Sequence, residues 1–170
     1  MKRKITFLIV AAALSAAALS SLALGATNSE SAPRGSKGAL VALRQTGLGK
    51  VLVDARGRTL YLFEKDKRGR SACYGTCAAY WPPFVSAARP RAASGVRASL
   101  LGSSKRTDGK RQVTYAGHPL YTFTGDTSAG QTTGEGLTDF GGAWYAVAAS
   151  GRPVKRTTSD SGGTSGGYGR

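Results

Sequence analysis

Apolar residues in this chain come in short runs, each followed by a polar or Gly-containing break. Ala39-Leu40-Val41-Ala42-Leu43, Val51-Leu52-Val53 and Leu60-Tyr61-Leu62-Phe63 are three such runs. Gly47-Leu48-Gly49 separates the first two. Asp54-Ala55-Arg56-Gly57 separates the next two, and Gly57 can take a positive φ there. Short runs bounded by turn chemistry predict strands, and their succession predicts an antiparallel meander. In the third strand the two-residue period puts Tyr61 and Phe63 on one face, Leu60 and Leu62 on the other. Both faces are apolar, so this strand is expected to be central and covered on both sides.

The pattern then returns. Leu60-Tyr61-Leu62-Phe63-Glu64-Lys65-Asp66 reappears sixty residues later as Leu120-Tyr121-Thr122-Phe123-Thr124-Gly125-Asp126. When residues 51–66 are laid on 111–126, six of sixteen positions match; chance would give about one. The chain is therefore built on an internal duplication. In the second copy Ser99–Gly102, Arg111–Tyr115 and Pro119–Phe123 read as strands. Asp108-Gly109 marks a hairpin, and Ala143–Val147 closes the unit. The intervening stretch 125–142, rich in Gly and Thr, reads as a long loop that is either functional or mobile. Late in the first copy, Ser71 is expected to cap a short helical turn from Ala72 to Tyr80, which Trp81-Pro82-Pro83 ends. The fold class expected is mainly β. Two antiparallel units of three to four strands should pack as one domain, with the helical turn at the cysteines.

Tyr-x-Phe-x-x-Asp, present twice, resembles the motif of a bacterial secreted-repeat family, also described as predicted lipoproteins with a Yx(F/W/Y)xxD signature. Cys73-Tyr74-Gly75-Thr76-Cys77-Ala78-Ala79-Tyr80-Trp81-Pro82-Pro83 is similar to its CxGxCAxxWPP segment. Gly134-Glu135-Gly136 and Trp144 are similar to its GxG…W ending. The resemblance covers about residues 40–150. It implies export and a tandem-repeat fold, and it carries no activity with it.

The termini fit export. Lys2, Arg3 and Lys4 precede an apolar stretch, Ile5–Leu24, and Ala23-Leu24-Gly25 is a small-x-small cleavage site. Residues 1–25 thus read as a signal peptide, the alternative being a retained anchor. A lipoprotein would need a Cys after that site, where Ala26 stands, so no lipid anchor is expected. Residues 26–38 read as a flexible linker, 39–86 as the first unit and 87–98 as a connector that lets the copies pack in various ways. Residues 99–150 read as the second unit. Residues 151–170, Gly/Ser-rich, are expected to be disordered.

Charge narrows the partners. Lys and Arg number 24 against 9 Asp and Glu, a net +15. Such a charge attracts anionic envelope polymers or membrane surfaces; the alternative is that it only maintains solubility, since the Lys and Arg are scattered rather than concentrated in one block. No helix gathers the cations for specific nucleic-acid reading. The expected function is an exported, non-enzymatic binding or structural module of the cell envelope.

Two alternatives rest on chemistry-bearing residues. Cys73 and Cys77 are an even pair in an exported chain and are expected to form a disulfide. C-x3-C with the sole histidine, His118, is also similar to the ligand set of Sco-type copper chaperones, which gives an envelope redox or copper-handling alternative. Against it stand the lack of a βαβ pattern and the placing of His118 in a Gly/Pro turn; no cofactor is otherwise expected. The other alternative is a hydrolase acting on wall polymers through Asp66 or Asp126. The simpler expectation is that each Asp accepts backbone N–H groups in its own turn. Tyr61, Phe63, Trp81, Tyr121, Phe123 and Trp144 are expected in the core, and Tyr74 and Tyr80 at the surface. No phosphate loop, HExxH or GxSxG is present.

Overall fold

Each copy opens on a hairpin whose turn its sequence dictates. In the computed structural model, which describes residues 38–67 and 69–155, β1 (Leu40–Thr46) and β2 (Gly49–Val53) pair around Gly47-Leu48, with Thr46 opposite Gly49. The Thr46 hydroxyl accepts the Leu48 N–H (3.1 Å) and donates to the Gly49 carbonyl (2.9 Å). In the second copy β5 (Leu101–Lys105) and β6 (Arg111–Tyr115) pair around the Asp-Gly turn. Gly109 takes φ 82°, and the Arg106 N–H closes the loop on the Lys110 carbonyl at 2.9 Å. The β6 strand continues into β7 (His118–Pro119) through Ala116-Gly117, both at positive φ, the pair of dihedrals that a tight two-residue hairpin requires.

The third strand departs from the expected meander. Leu60 still donates to the Leu52 carbonyl (2.9 Å). Then β3 (Tyr61–Phe63) pairs with β9 (Gly142–Ala146) of the other copy, Tyr61 opposite Ala146 and Phe63 opposite Trp144. Tyr61 and Tyr121 exchange backbone N–H···O bonds of 2.9 Å each, so the equivalent residues of the two copies meet each other. A strand apolar on both faces needs cover on both faces, and only the second copy supplies enough of it. Three sheets result, ordered β2-β1-β4, β3-β9-β8 and β5-β6-β7, where β4 is Arg91–Ala92 and β8 is Thr138–Asp139. The fold is mainly β, as its alternating runs foretold.

Two apolar clusters lie against β3. Tyr61 and Phe63 join Val51, Val53, Trp81, Tyr121 and Trp144 in one. Leu60 and Leu62 join Val41, Leu52, Val113, Tyr115 and Leu120 in the other. The face assignment made from the two-residue period holds.

Four expectations change. The connector does not leave the copies to pack variously: β4 pairs in parallel with β1, Leu40 opposite Arg91. β1 pairs with β2 along one edge, and its other edge takes β4, the Arg91 N–H on the Ala39 carbonyl and the Ala93 N–H on the Val41 carbonyl at 2.8 Å each. The tail does not begin at 151. The Val154 N–H bonds the Ala146 carbonyl (2.8 Å) and its side chain packs on the aromatic cluster. Ser71 does not cap the helix; α1 (Thr76–Tyr80) starts from Gly75 at φ 54°, with no side-chain cap. The 125–142 loop is held by bonds from Gly130 to Gly57, Gly136 to Trp144 and Trp144 to Leu137. The expected signal peptide, the expected linker up to residue 37 and the expected tail from 156 lie outside the described residues. Among the described residues no helix is long and apolar enough to cross a membrane.

Candidate functional site

The repeated motif residues converge where the two copies meet. Phe63, Trp144, Trp81 and Phe123 form a continuous stack of four rings. Centroids lie 4.0 Å apart for Phe63–Trp144, 4.0 Å for Trp144–Trp81 and 4.3 Å for Trp81–Phe123. Tyr61 meets Trp81 edge-on at 5.4 Å, and Tyr121 meets Trp144 edge-on at 5.1 Å. Each tryptophan is thus sandwiched between the other tryptophan and the phenylalanine of the opposite copy. All six were expected in the core; five are buried, and Phe123 is partly so.

The tyrosines and aspartates cross over in the same way. The Tyr61 hydroxyl donates to Asp126 Oδ2 (2.7 Å), and the Tyr121 hydroxyl donates to Asp66 Oδ2 (2.8 Å). The expected local role is half of the answer. Asp66 Oδ1 accepts the Ala72 N–H (2.7 Å), and Asp126 Oδ1 accepts both the N–H (2.9 Å) and the hydroxyl (2.6 Å) of Thr133. Each carboxylate therefore ties its own following loop to the other copy's strand. A turn does fold Asp66 back, its N–H on the Phe63 carbonyl at 3.1 Å, but the tyrosine it meets is Tyr121, not Tyr61. Burial first, then the facing carboxylates, push both phenols above their ordinary range, so they remain neutral donors.

The Gly-x-Gly segment has a steric explanation. A Cβ on Gly134 would stand 2.7 Å from Trp81 and 3.1 Å from Tyr61. Its N–H lies 3.3 Å from the Tyr61 hydroxyl. Glu135 accepts the Ala146 N–H (2.7 Å), and Gly136, at φ 74°, donates to the Trp144 carbonyl (2.8 Å).

Cys73 and Cys77 are joined in a disulfide, both buried. The bond closes a very small ring around Gly75. Loop entropy gives about 2 kcal/mol for such a ring. A Cys73→Ala, Cys77→Ala variant should therefore melt about 8 °C lower and stay folded; differential scanning calorimetry reads this, and an unchanged midpoint would show that other contacts hold the turn.

One such contact was invisible in the sequence. Arg106, buried, donates to Ser71 Oγ (2.7 Å), Gln112 Oε1 (2.7 Å), the Cys73 carbonyl (2.8 Å) and Asp108 (3.1 Å). Its guanidinium also lies 4.2 Å over the Tyr74 ring. That single side chain fastens the cysteine loop of one copy to the hairpin of the other. Five donors in a planar fork make arginine fit for this task, yet nothing in Lys105-Arg106-Thr107 sets it apart from the surface cations. Of the tyrosines expected at the surface, Tyr80 is exposed and Tyr74 is half-covered beneath Arg106.

The structure does not gather the copper-type ligand set. The cysteines are bonded to each other, His118 is exposed on the β6–β7 turn, and among the described residues no three His, Cys, Asp or Glu side chains are placed to hold a metal ion. His118 instead shares with Asp66 the lining of two cavities of about 320 and 330 Å³. Burial raises the Asp66 carboxyl to about 6, against the Ala72 N–H, the Tyr121 hydroxyl and Arg106, which hold it down. A carboxyl near neutrality suits proton transfer. Here both its oxygens already accept bonds from within the fold.

A family model described as a secreted repeat of unknown function matches residues 42–85 and 102–148. The chain belongs to that family. No curated protein and no solved structure matches it. The two matched segments are the two copies of the duplication, and their boundaries contain every residue of the crossed Tyr/Asp pairs and of the ring stack. For this secreted repeat the signature residues, as they stand in this chain, are the joint between the copies.

Proposed function

We propose that this secreted repeat is a non-enzymatic module of the cell envelope that binds anionic polymers or surfaces through its exposed cations. The observation that carries the reading is the imbalance of charge at the surface. Lys and Arg outnumber Asp and Glu by 24 to 9, and the described residues make three ion pairs, at Asp54, Asp108 and Glu64. Among the described residues, most cations therefore face solvent without a carboxylate partner. The motif carboxylates, by contrast, are engaged inside the fold and offer a ligand little.

The exported protein should be retained on an anionic envelope polymer at low ionic strength. Affinity should fall by an order of magnitude or more as salt rises from about 0.05 to 0.5 M, as the screening length shortens. Titration calorimetry across that range is the test. Salt-insensitive binding, or none at low salt, would overturn the reading.

A further inference from the structure

Three of the exposed cations line two adjoining cavities. On the outer side of the second hairpin a cavity of about 500 Å³ is lined by Arg89 and Pro90 of the connector and by Leu101, Ser103 and Arg111 of β5 and β6. It adjoins a second, of about 320 Å³, which shares Ala87 and Arg111 and adds Lys110. No acidic residue lines either one. Arg89, Lys110 and Arg111 are exposed, and among the described residues none forms an ion pair. Arg111 is steadied by a 2.7 Å bond from Nη2 to Ser103 Oγ, which leaves most of its donors open.

The hairpin also breaks a local rule. Lys105 and Arg111 stand directly opposite each other across the β5–β6 ladder. Like charges in that position destabilise a sheet by some tenths of a kcal/mol to about 1 kcal/mol. Departures of this kind are expected where a site needs them. We propose that these adjoining cavities are a binding site for consecutive phosphodiester groups of an anionic polymer, an inference that rests on the envelope-binding reading above.

Phosphate fits better than carboxylate. A guanidinium fork grips either anion in pairs, but a tetrahedral oxyanion takes further donors from other directions, which a planar carboxylate does not. Here Arg89 comes from the connector wall and Arg111 from the sheet. A polymer fits better than a membrane face, because two linked cavities suit a chain that passes from one to the other, while the lining offers no large aromatic side chain to enter lipid.

The test uses the full exported protein, poly(glycerol phosphate), polygalacturonate of matched charge, and phosphatidylglycerol vesicles. Arg89→Gln with Arg111→Gln should weaken poly(glycerol phosphate) binding about tenfold or more. Lys50→Gln with Arg56→Gln, exposed cations outside this cavity lining, should weaken it no more than about threefold. Loss of Arg111 should leave the melting midpoint unchanged or raised, since the repulsion from Lys105 goes with it. Equal losses in the two double variants would overturn the site while leaving the general charge-driven reading intact. So would equal affinity for polygalacturonate, or tighter binding to vesicles than to polymer. No binding by the parent protein to any of the three would overturn both.

Discussion

Trp81→Ala is expected to remove most of the stability of the fold. Burying so large a ring and then deleting it typically costs 3–5 kcal/mol, roughly, through lost transfer energy and the cavity left behind. Trp81 is fully buried and touches three other rings, Phe123, Trp144 and Tyr61. Each aromatic pair adds about 0.5–1.5 kcal/mol beyond buried area. A loss at the upper end of the deletion range, to which these ring pairs already contribute, is comparable with the whole stability of a marginal small domain, about 5 kcal/mol. Urea denaturation should show a midpoint shifted far down or no folded baseline, and a loss under about 2 kcal/mol would mean that the stack is not the joint we take it for. Phenylalanine separates the two tryptophans. Among the described residues the Trp81 indole N–H is buried without a partner, whereas Trp144 donates to the Asp139 carbonyl (3.3 Å). Trp81→Phe therefore strands no acceptor and should be milder than Trp144→Phe.

Asp126→Ala comes next. It leaves three donors without their acceptor: the Tyr61 hydroxyl, the Thr133 N–H and the Thr133 hydroxyl. The Tyr61 hydroxyl is buried, and a buried donor left unmet costs about 1–3 kcal/mol; Thr133 is exposed, so water replaces its lost acceptor, and the expected total is about 2–4 kcal/mol. Asp66→Ala should cost less, because Asp66 is only half-buried and carries a desolvation penalty of its own. That penalty has a pH signature. Its carboxyl titrates at about 6 in the folded protein against an ordinary 3.8. A raised folded value means that the native state holds its proton more tightly than the unfolded chain does. Stability contributed by Asp66 is therefore full below about pH 4 and is lost as pH rises through about 6. The full shift corresponds to about 3 kcal/mol, and solvent screening of a partly open carboxyl reduces this to ~1–2 kcal/mol. Asp66→Asn should flatten the difference between pH 4 and pH 7 in urea melts; an unchanged slope would assign it to other groups.

Much of the architecture could be read from periodicity. The hairpins, the two faces of the Tyr61 strand and the disulfide all depend on neighbours in sequence, where turn chemistry and the two-residue period act. What could not be read depends on pairing across sixty residues. The motif Tyr-x-Phe-x-x-Asp looks like one local unit, since Tyr61 and Asp66 lie five residues apart, and local capping explains part of the aspartate's work. No short-range rule says that Asp66 serves Tyr121 and Asp126 serves Tyr61. Arg106 was hidden for another reason. Buried and exposed arginines have the same sequence signature, and only the acceptors around it, Ser71, Gln112 and the Cys73 carbonyl, mark it as internal. Gly134 was readable as a motif residue but not as the floor beneath Trp81.

The crossed pairs also bear on how such a chain arises. A chain with one copy would hold a tyrosine without its acid, a tryptophan without its stacking partner and a strand with a bare edge. It could complete itself only against a second chain, as a symmetric dimer. Gene duplication then turns an encounter between molecules into a step within one, and frees the two halves to diverge. The cysteines, kept in one copy and absent from the other, are what that freedom leaves behind.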